Sequence, residues 1–179
     1  RNIDIFISGA GPAGLLASLS FASLGYSVFC VDPKKPVTQS NEDGADLRTT
    51  AFLQPAKTFM ASLGLWEKLE PFAEPMEIMR IIDSAGDNWP PIETTAKDFL
   101  ASEISDLPFG WNIPNWLLRR TLLENAMEYS NLELKFGLTT SSIIRRDDAA
   151  FVYLNDGSQI KSKLIIGADG RDSLVRDKS

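Results

Sequence analysis

The chain opens on NIDIFIS, in which Ile3, Ile5, Phe6 and Ile7 leave few polar positions. A nearly continuous apolar run of this length predicts a strand buried on both faces, as inside a parallel sheet. Residues 12–24 predict a helix, with Gly25 as its C-terminal stop. SVFCV, residues 27–31, predicts a second strand that ends at Asp32. Strand, helix and strand within about 30 residues imply a crossover, so the two strands are expected to be parallel.

Residues 33–47 are polar, carry two prolines and read as a loop. Gln54 and Pro55 start a helix, with proline at its first position, and it stops at Gly64. A short helix follows through Glu70. From residue 76 the character changes: MEIMRIID reads as a strand, followed by Gly86, three prolines and little helical period. Pro114-Asn115 opens a helix, WLLRRTLLENAMEY, with Leu118, Leu122 and Ala126 on one face and Arg120 and Glu124 on another. Strands follow at 132–136, 142–146 and 150–154. Asn155-Asp156-Gly157 marks a hairpin turn, and 159–166 returns as a strand into GADG. The fold class is α/β: a Rossmann-like domain with a parallel sheet, residues 1–75 and 111–179, interrupted by a β-rich insertion at 76–110.

Composition narrows the chemistry. The chain has 179 residues and is 44% hydrophobic, which suits one domain with a small insertion. A net charge of -6 and a pI of about 4.7 argue against nucleic acid as the partner. Cys30 stands alone, so no disulfide can close within the chain, and a reducing compartment is expected. Histidine is absent, which removes the commonest general base and metal ligand. No metal site and no Ser-His-Asp triad are expected, and no catalytic acid or base is named. Redox chemistry would have to come from a bound organic cofactor. The longest apolar-rich stretch, residues 13–25, falls short of the ~20 residues that a spanning helix needs. The protein is therefore expected to be soluble or at most peripheral to a membrane.

GAGPAG, residues 9–14, lies between the first strand and the helix. In such a loop Gly9 allows the tight turn, Gly11 lets phosphates approach the backbone, and Gly14 lets the helix pack against the strand. Pro12 and Ala13 complete the candidate binding loop, whose helix N-terminus favours an anion. Asp32 lies 18 residues beyond Gly14, near the ~20 expected for a carboxylate on a ribose hydroxyl. An acid there favours a free 2′-hydroxyl, as in FAD or NAD. The loop alone fits either cofactor, and a glycine-rich turn with no ligand is the competing reading.

The far end carries KLIIGADGRDSLVR, residues 163–176, and the middle carries DLRTTAFLQP. With GAGPAG and Asp32, these landmarks resemble the N-terminal half of the group A flavin monooxygenases, the para-hydroxybenzoate hydroxylase-like family. The chain looks most like the family's ubiquinone-biosynthesis hydroxylases. The resemblance covers nearly all of it, with residues 76–110 matching only in outline.

The resemblance implies FAD as the cofactor and NADPH or NADH as a transient reductant. It makes 1–75 and 111–179 the N-terminal part of the FAD-binding domain and 76–110 part of a substrate domain. In it, Gly9, Gly11, Pro12, Ala13, Gly14 and Asp32 hold the AMP half of FAD. Arg48 lies near the pyrophosphate and flavin, and Asp169 with Gly170 lies near the pyrophosphate. Asn115 can approach the flavin, or it is simply a helix cap. Arg171 and Arg176 could meet phosphate or form surface ion pairs. The implied substrates are molecular oxygen and a small aromatic, in the ubiquinone reading a polyprenyl phenol. Contact with a membrane or a biosynthetic complex goes with that reading. The implied location is cytoplasmic or on the inner membrane face in a bacterium, or on the matrix side of a mitochondrion. Family members are roughly twice this length, so the chain reads as a truncated fragment, inactive by itself. A flavin-dependent reductase or dehydrogenase, an NAD-dependent dehydrogenase and a non-catalytic nucleotide-binding subunit are the alternatives.

Overall fold

The computed structural model describes residues 1–85 and 92–178. In chain order the elements begin with β1 (Asn2–Ser8), α1 (Pro12–Ser23), β2 (Val28–Asp32), β3 (Thr49–Leu53), α2 (Gln54–Ser62) and α3 (Trp66–Leu69). They continue with β4 (Glu74–Met76), β5 (Ile78–Ala85), β6 (Ile92–Leu100), β7 (Gly110–Pro114) and α4 (Asn115–Ala126). The last are β8 (Leu132–Phe136), β9 (Thr140–Arg145), β10 (Ala150–Leu154), β11 (Gln159–Gly167) and the one-turn α5 (Leu174–Asp177). The chain divides into two units, Arg1–Leu47 with Asn115–Ser179, and Arg48–Pro114.

The first unit is built on a six-stranded sheet in the order β8-β2-β1-β11-β10-β9. β8, β2, β1 and β11 are parallel; β10 and β9 return antiparallel. The expected parallel pairing of the first two strands is thus present. Ser8 lies opposite both Val31 and Gly167, and Asp32 opposite Phe136, so the four parallel strands end at one level. β1 is largely apolar because it is central: Phe6 and Ile7 have no exposed surface. Ile3, Phe6, Phe29, Val31, Val152, Leu154 and Ile160 form one core cluster.

α1 buries Leu15, Ser18, Leu19 and Ala22, one stripe of the helix, and packs against α4. A buried leucine contributes about 1.5–3 kcal/mol. The Ser18 hydroxyl is satisfied by donating to Gly14 O at 2.7 Å. α1 stops where Gly25 takes a positive φ of 86°. Asp4 fastens the return into β2, accepting from Ser27 N at 2.9 Å, Ser27 Oγ at 2.7 Å and Lys163 Nζ at 2.6 Å. These donors, Lys163 first, hold the Asp4 carboxyl well below the usual carboxylate range.

The second unit holds a three-stranded antiparallel sheet, β3-β7-β4, and the two-stranded ribbon β5-β6. Gly110 lets β7 lie close to β3, since a Cβ there would stand 2.3 Å from Phe52 O. Lys57 lies over the rings of Trp66 and Trp111 at 5.1 and 4.3 Å. The strand read in MEIMRIID is β5, while Gly86, Pro90 and Pro91 lie outside the described residues. Residues 76–110 fall within this unit, which also takes in 48–75 and 111–114. β3 and β7 were not expected, because TTAFL and GWNIP show no sustained apolar alternation.

Candidate functional site

The loop after β1 is held from several sides. Gly9 N donates to Val31 O at 2.8 Å, and Ala168 N donates to Ser8 O at 2.7 Å. Gly9 has a φ of 103°, and a Cβ on it would lie 2.2 Å from Ala168 O. A Cβ on Gly14 would lie 1.8 Å from Gly9 O. These two glycines are therefore demanded by the packing of backbone on backbone. Gly11 is different. Its φ is −68° and its ψ 179°, values open to any residue, and among the described residues a Cβ there would meet nothing within 4 Å. The protein's own packing gives no reason for a glycine at position 11.

The start of α1 is suited to an anion. Its first rung runs from Leu15 N to Gly11 O at 2.9 Å. Pro12 has no N–H, and the N–H groups of Ala13 and Gly14 precede the ladder. No side chain caps this end, and no acidic residue stands in the first turn. The positive end of a 12-residue helix thus faces outward beside Gly11. Ser8, Gly9, Gly11, Asp32, Thr140 and Asp169 help line a cavity of about 510 Å³ where the parallel strands end. Crevices at such a strand-order reversal are the usual ligand sites of open α/β sheets. The open space at Gly11, the uncapped N–H groups and the carboxylate at Asp32 fit a dinucleotide.

Asp32 is partly structural. Its Oδ2 accepts from Ala10 N at 2.7 Å and its Oδ1 from Lys34 N at 2.8 Å. A carboxylate offers about four acceptor positions, so capacity for a hydroxyl remains. Asp169 accepts from Ser173 Oγ, from Leu174 N at 3.0 Å and from Val175 N at 3.4 Å. It therefore closes the turn into α5 while lining the cavity. Gly170 makes that turn at a φ of 84°.

Ser8, Thr139, Thr140 and Asp172 line the cavity without having been expected there. The hydroxyls of Ser8 and Thr140 bond each other at 2.9 Å. The signal that could have found them is position: Ser8 ends β1, Thr139 and Thr140 stand at the start of β9, and Asp172 follows β11.

The remaining expected residues do not line this cavity. Arg48 opens the second unit and is exposed. Asn115 is the first residue of α4, and its Nδ2 donates to Asp46 Oδ2 at 3.0 Å. Arg119, one turn further on, reaches the same oxygen at 3.3 Å. Arg171 is exposed, and Arg176 donates to Arg171 O at 2.8 Å while lying 3.5 Å from Asp177. Burial pushes the Cys30 thiol up to about 12, so it is no ready nucleophile. Among the described residues no group of three or more acids or cysteines could hold a metal ion. No described helix is long and apolar enough to cross a membrane.

Residues 2–179 match the FAD binding domain family. The chain is similar to the ubiquinone hydroxylase UbiL of Rhodospirillum rubrum, 27% identical over 98% of this chain and 39% of that protein. It is similar to the 3-demethoxyubiquinol 3-hydroxylase of Escherichia coli, 25% identical over 97% of this chain and 42% of that protein. The chain thus spans less than half the length of these relatives. Among solved structures, the flavin-dependent monooxygenase PieE, in complex with FAD and substrate, superposes with a TM-score of 0.76. It is 22% identical, over 99% of this chain and 32% of that one. The p-nitrophenol 4-monooxygenase PnpA of Pseudomonas putida gives the same score at 20% identity, over 99% of this chain and 44% of that one. At those identities the shared feature is the Rossmann-like fold.

Proposed function

The chain belongs to the FAD-binding domain family, and from that premise we propose that it forms the dinucleotide half of an FAD-dependent monooxygenase that hydroxylates an aromatic ring. The observation that carries this reading is Gly11. The fold leaves open the space that a side chain would take there, beside an uncapped helix N-terminus.

In this reading the backbone from Gly9 to Gly14, Pro12 and Ala13 included, receives the pyrophosphate, and Asp32 accepts from a ribose hydroxyl. Asp169 and Gly170 shape the far wall of the cavity. Asn115 belongs to the flavin end. Bound FAD would pass two electrons from NADH or NADPH to oxygen, one atom entering the ring and the other leaving as water. The chain's own part is to hold the dinucleotide through the loop backbone and the Asp32 carboxylate. The ubiquinone-hydroxylase relatives support a phenol of that class as the substrate, with a prenyl chain and a peripheral membrane contact following from it.

The test is cofactor retention. The protein at its natural length is mixed with FAD, desalted and read by visible absorption. Retained flavin absorbance, lost on Asp32→Ala, is the expected result. NAD binding with no retained flavin would overturn the reading.

A further inference from the structure

The segment that runs on from Asp32 is fixed again at its far end. Asp46 lies 14 positions after Asp32, and its side chain keeps only 10% of its surface exposed. Its Oδ2 accepts from Asn115 Nδ2 at 3.0 Å and Arg119 NH2 at 3.3 Å, donors one turn apart on α4. An acceptor-only group in that place sets the orientation of the Asn115 carboxamide. Turned over, the amide would set its own oxygen against a carboxylate oxygen. Arg119 adds a charge-assisted contact that holds the carboxylate in position.

Segment 33–47 thus has one end at Asp32, held by Ala10 N and Lys34 N, and the other at Asp46, held by α4. Between them the backbone forms no helix or strand, with turn bonds at Glu42 N to Gln39 O and Ala45 N to Glu42 O. Its first residue, Pro33, lines the cavity.

We propose that Asp46 is a positioning residue of the cofactor site: its carboxylate orients Asn115 and anchors the segment that leads away from Asp32, so that FAD affinity depends on a side chain outside the cavity. The proposal rests on the FAD reading above, in which Asp32 and Asn115 serve the cofactor.

The test uses the protein at its natural length. FAD affinity is measured by flavin fluorescence, hydrogen exchange is followed in segments 33–47 and 115–119, and the melting temperature of the apoprotein is recorded. Asp46→Ala is expected to weaken FAD binding about tenfold, the ratio that ~1.4 kcal/mol represents, and to speed exchange in both segments. Asn115→Ala should weaken binding similarly, and the double variant should lose little more than either one. Asp46→Asn keeps the size and an acceptor for Asn115 Nδ2, and is expected to stay within about twofold of the wild type.

A lower melting temperature with unchanged affinity in Asp46→Ala would make the contact merely structural and overturn the proposal. So would fully additive losses in the double variant. A loss in Asp46→Asn as large as in Asp46→Ala would place the effect on the charge facing Arg119 and overturn the role assigned to Asn115. Failure of the wild type to bind FAD would instead overturn the cofactor reading underneath.

Discussion

β1 and β5 are written in nearly the same alphabet, IDIFIS against IMRIID, yet their side chains end in opposite surroundings. Phe6 and Ile7 of β1 have no exposed surface, while Ile81 and Ile82 of β5 keep 55% and 53% of theirs. The difference lies in the neighbours. β1 has a hydrogen-bonded strand on each side, β2 and β11, and α1 packed against it. Among the described residues β5 pairs with β6 alone, and its residues are exposed along its whole length, on both faces. Two strands bury little by themselves. An apolar run therefore predicts a strand but not burial, and the cavity has formed where the surroundings are complete. The ribbon's apolar faces are of the kind that interactions cover.

Substitutions can break or sharpen this contrast. The largest effect is expected at Gly14→Val, whose side chain would drive into Gly9 O and separate α1 from the loop. That variant should fail to fold natively, seen as loss of a cooperative thermal transition. Phe6→Ala should cost about 3–5 kcal/mol in denaturant unfolding, as for other large core truncations. Ile81→Ala on the exposed ribbon should cost less than about 1 kcal/mol in the same measurement. Near-equal costs for the two would show that the ribbon is covered in solution and erase the contrast.

A smaller effect is expected from pH. The Asp4 carboxyl is held below its ordinary 3.8 in the folded state. Its contribution is therefore fully present above that value and lost as pH falls through the lowered folded value. Lys163→Met should flatten the acid limb of the stability-pH curve by lowering stability at neutral pH, with no loss left once the carboxyl is protonated. The smallest effect is at Cys30. A buried thiol near 12 should resist alkylation at pH 8 in the folded protein and react only on unfolding.

The sheet half of the fold and the candidate site were largely legible in the sequence. Periodicity located β1, α1, β2 and α4, and the GAGPAG spacing located the crevice. The β3 and β7 strands were not legible, because their residues are fixed by pairing with distant segments and not by a local apolar pattern. GADG resembles a ligand-facing motif, but most of what Asp169 does in the structure is accept from the turn into α5. The Asp46 contact with Asn115 joins residues 69 positions apart, which no spacing rule reaches. The separate roles that spacing assigns to the three glycines of GAGPAG appear in the structure as distances. Two are required by the fold and one is not.

That separation gives the most direct measurement. Gly11→Ala changes a residue whose backbone suits any side chain and whose Cβ would find open space. In the apoprotein it should raise stability by about 0.4–1 kcal/mol, by restricting the unfolded chain. In the protein at its natural length it should weaken FAD binding by at least about tenfold, through a methyl group placed where the pyrophosphate approaches. Opposite signs for stability and affinity are the predicted result. An alanine protein that binds FAD as tightly as the wild type would contradict the account.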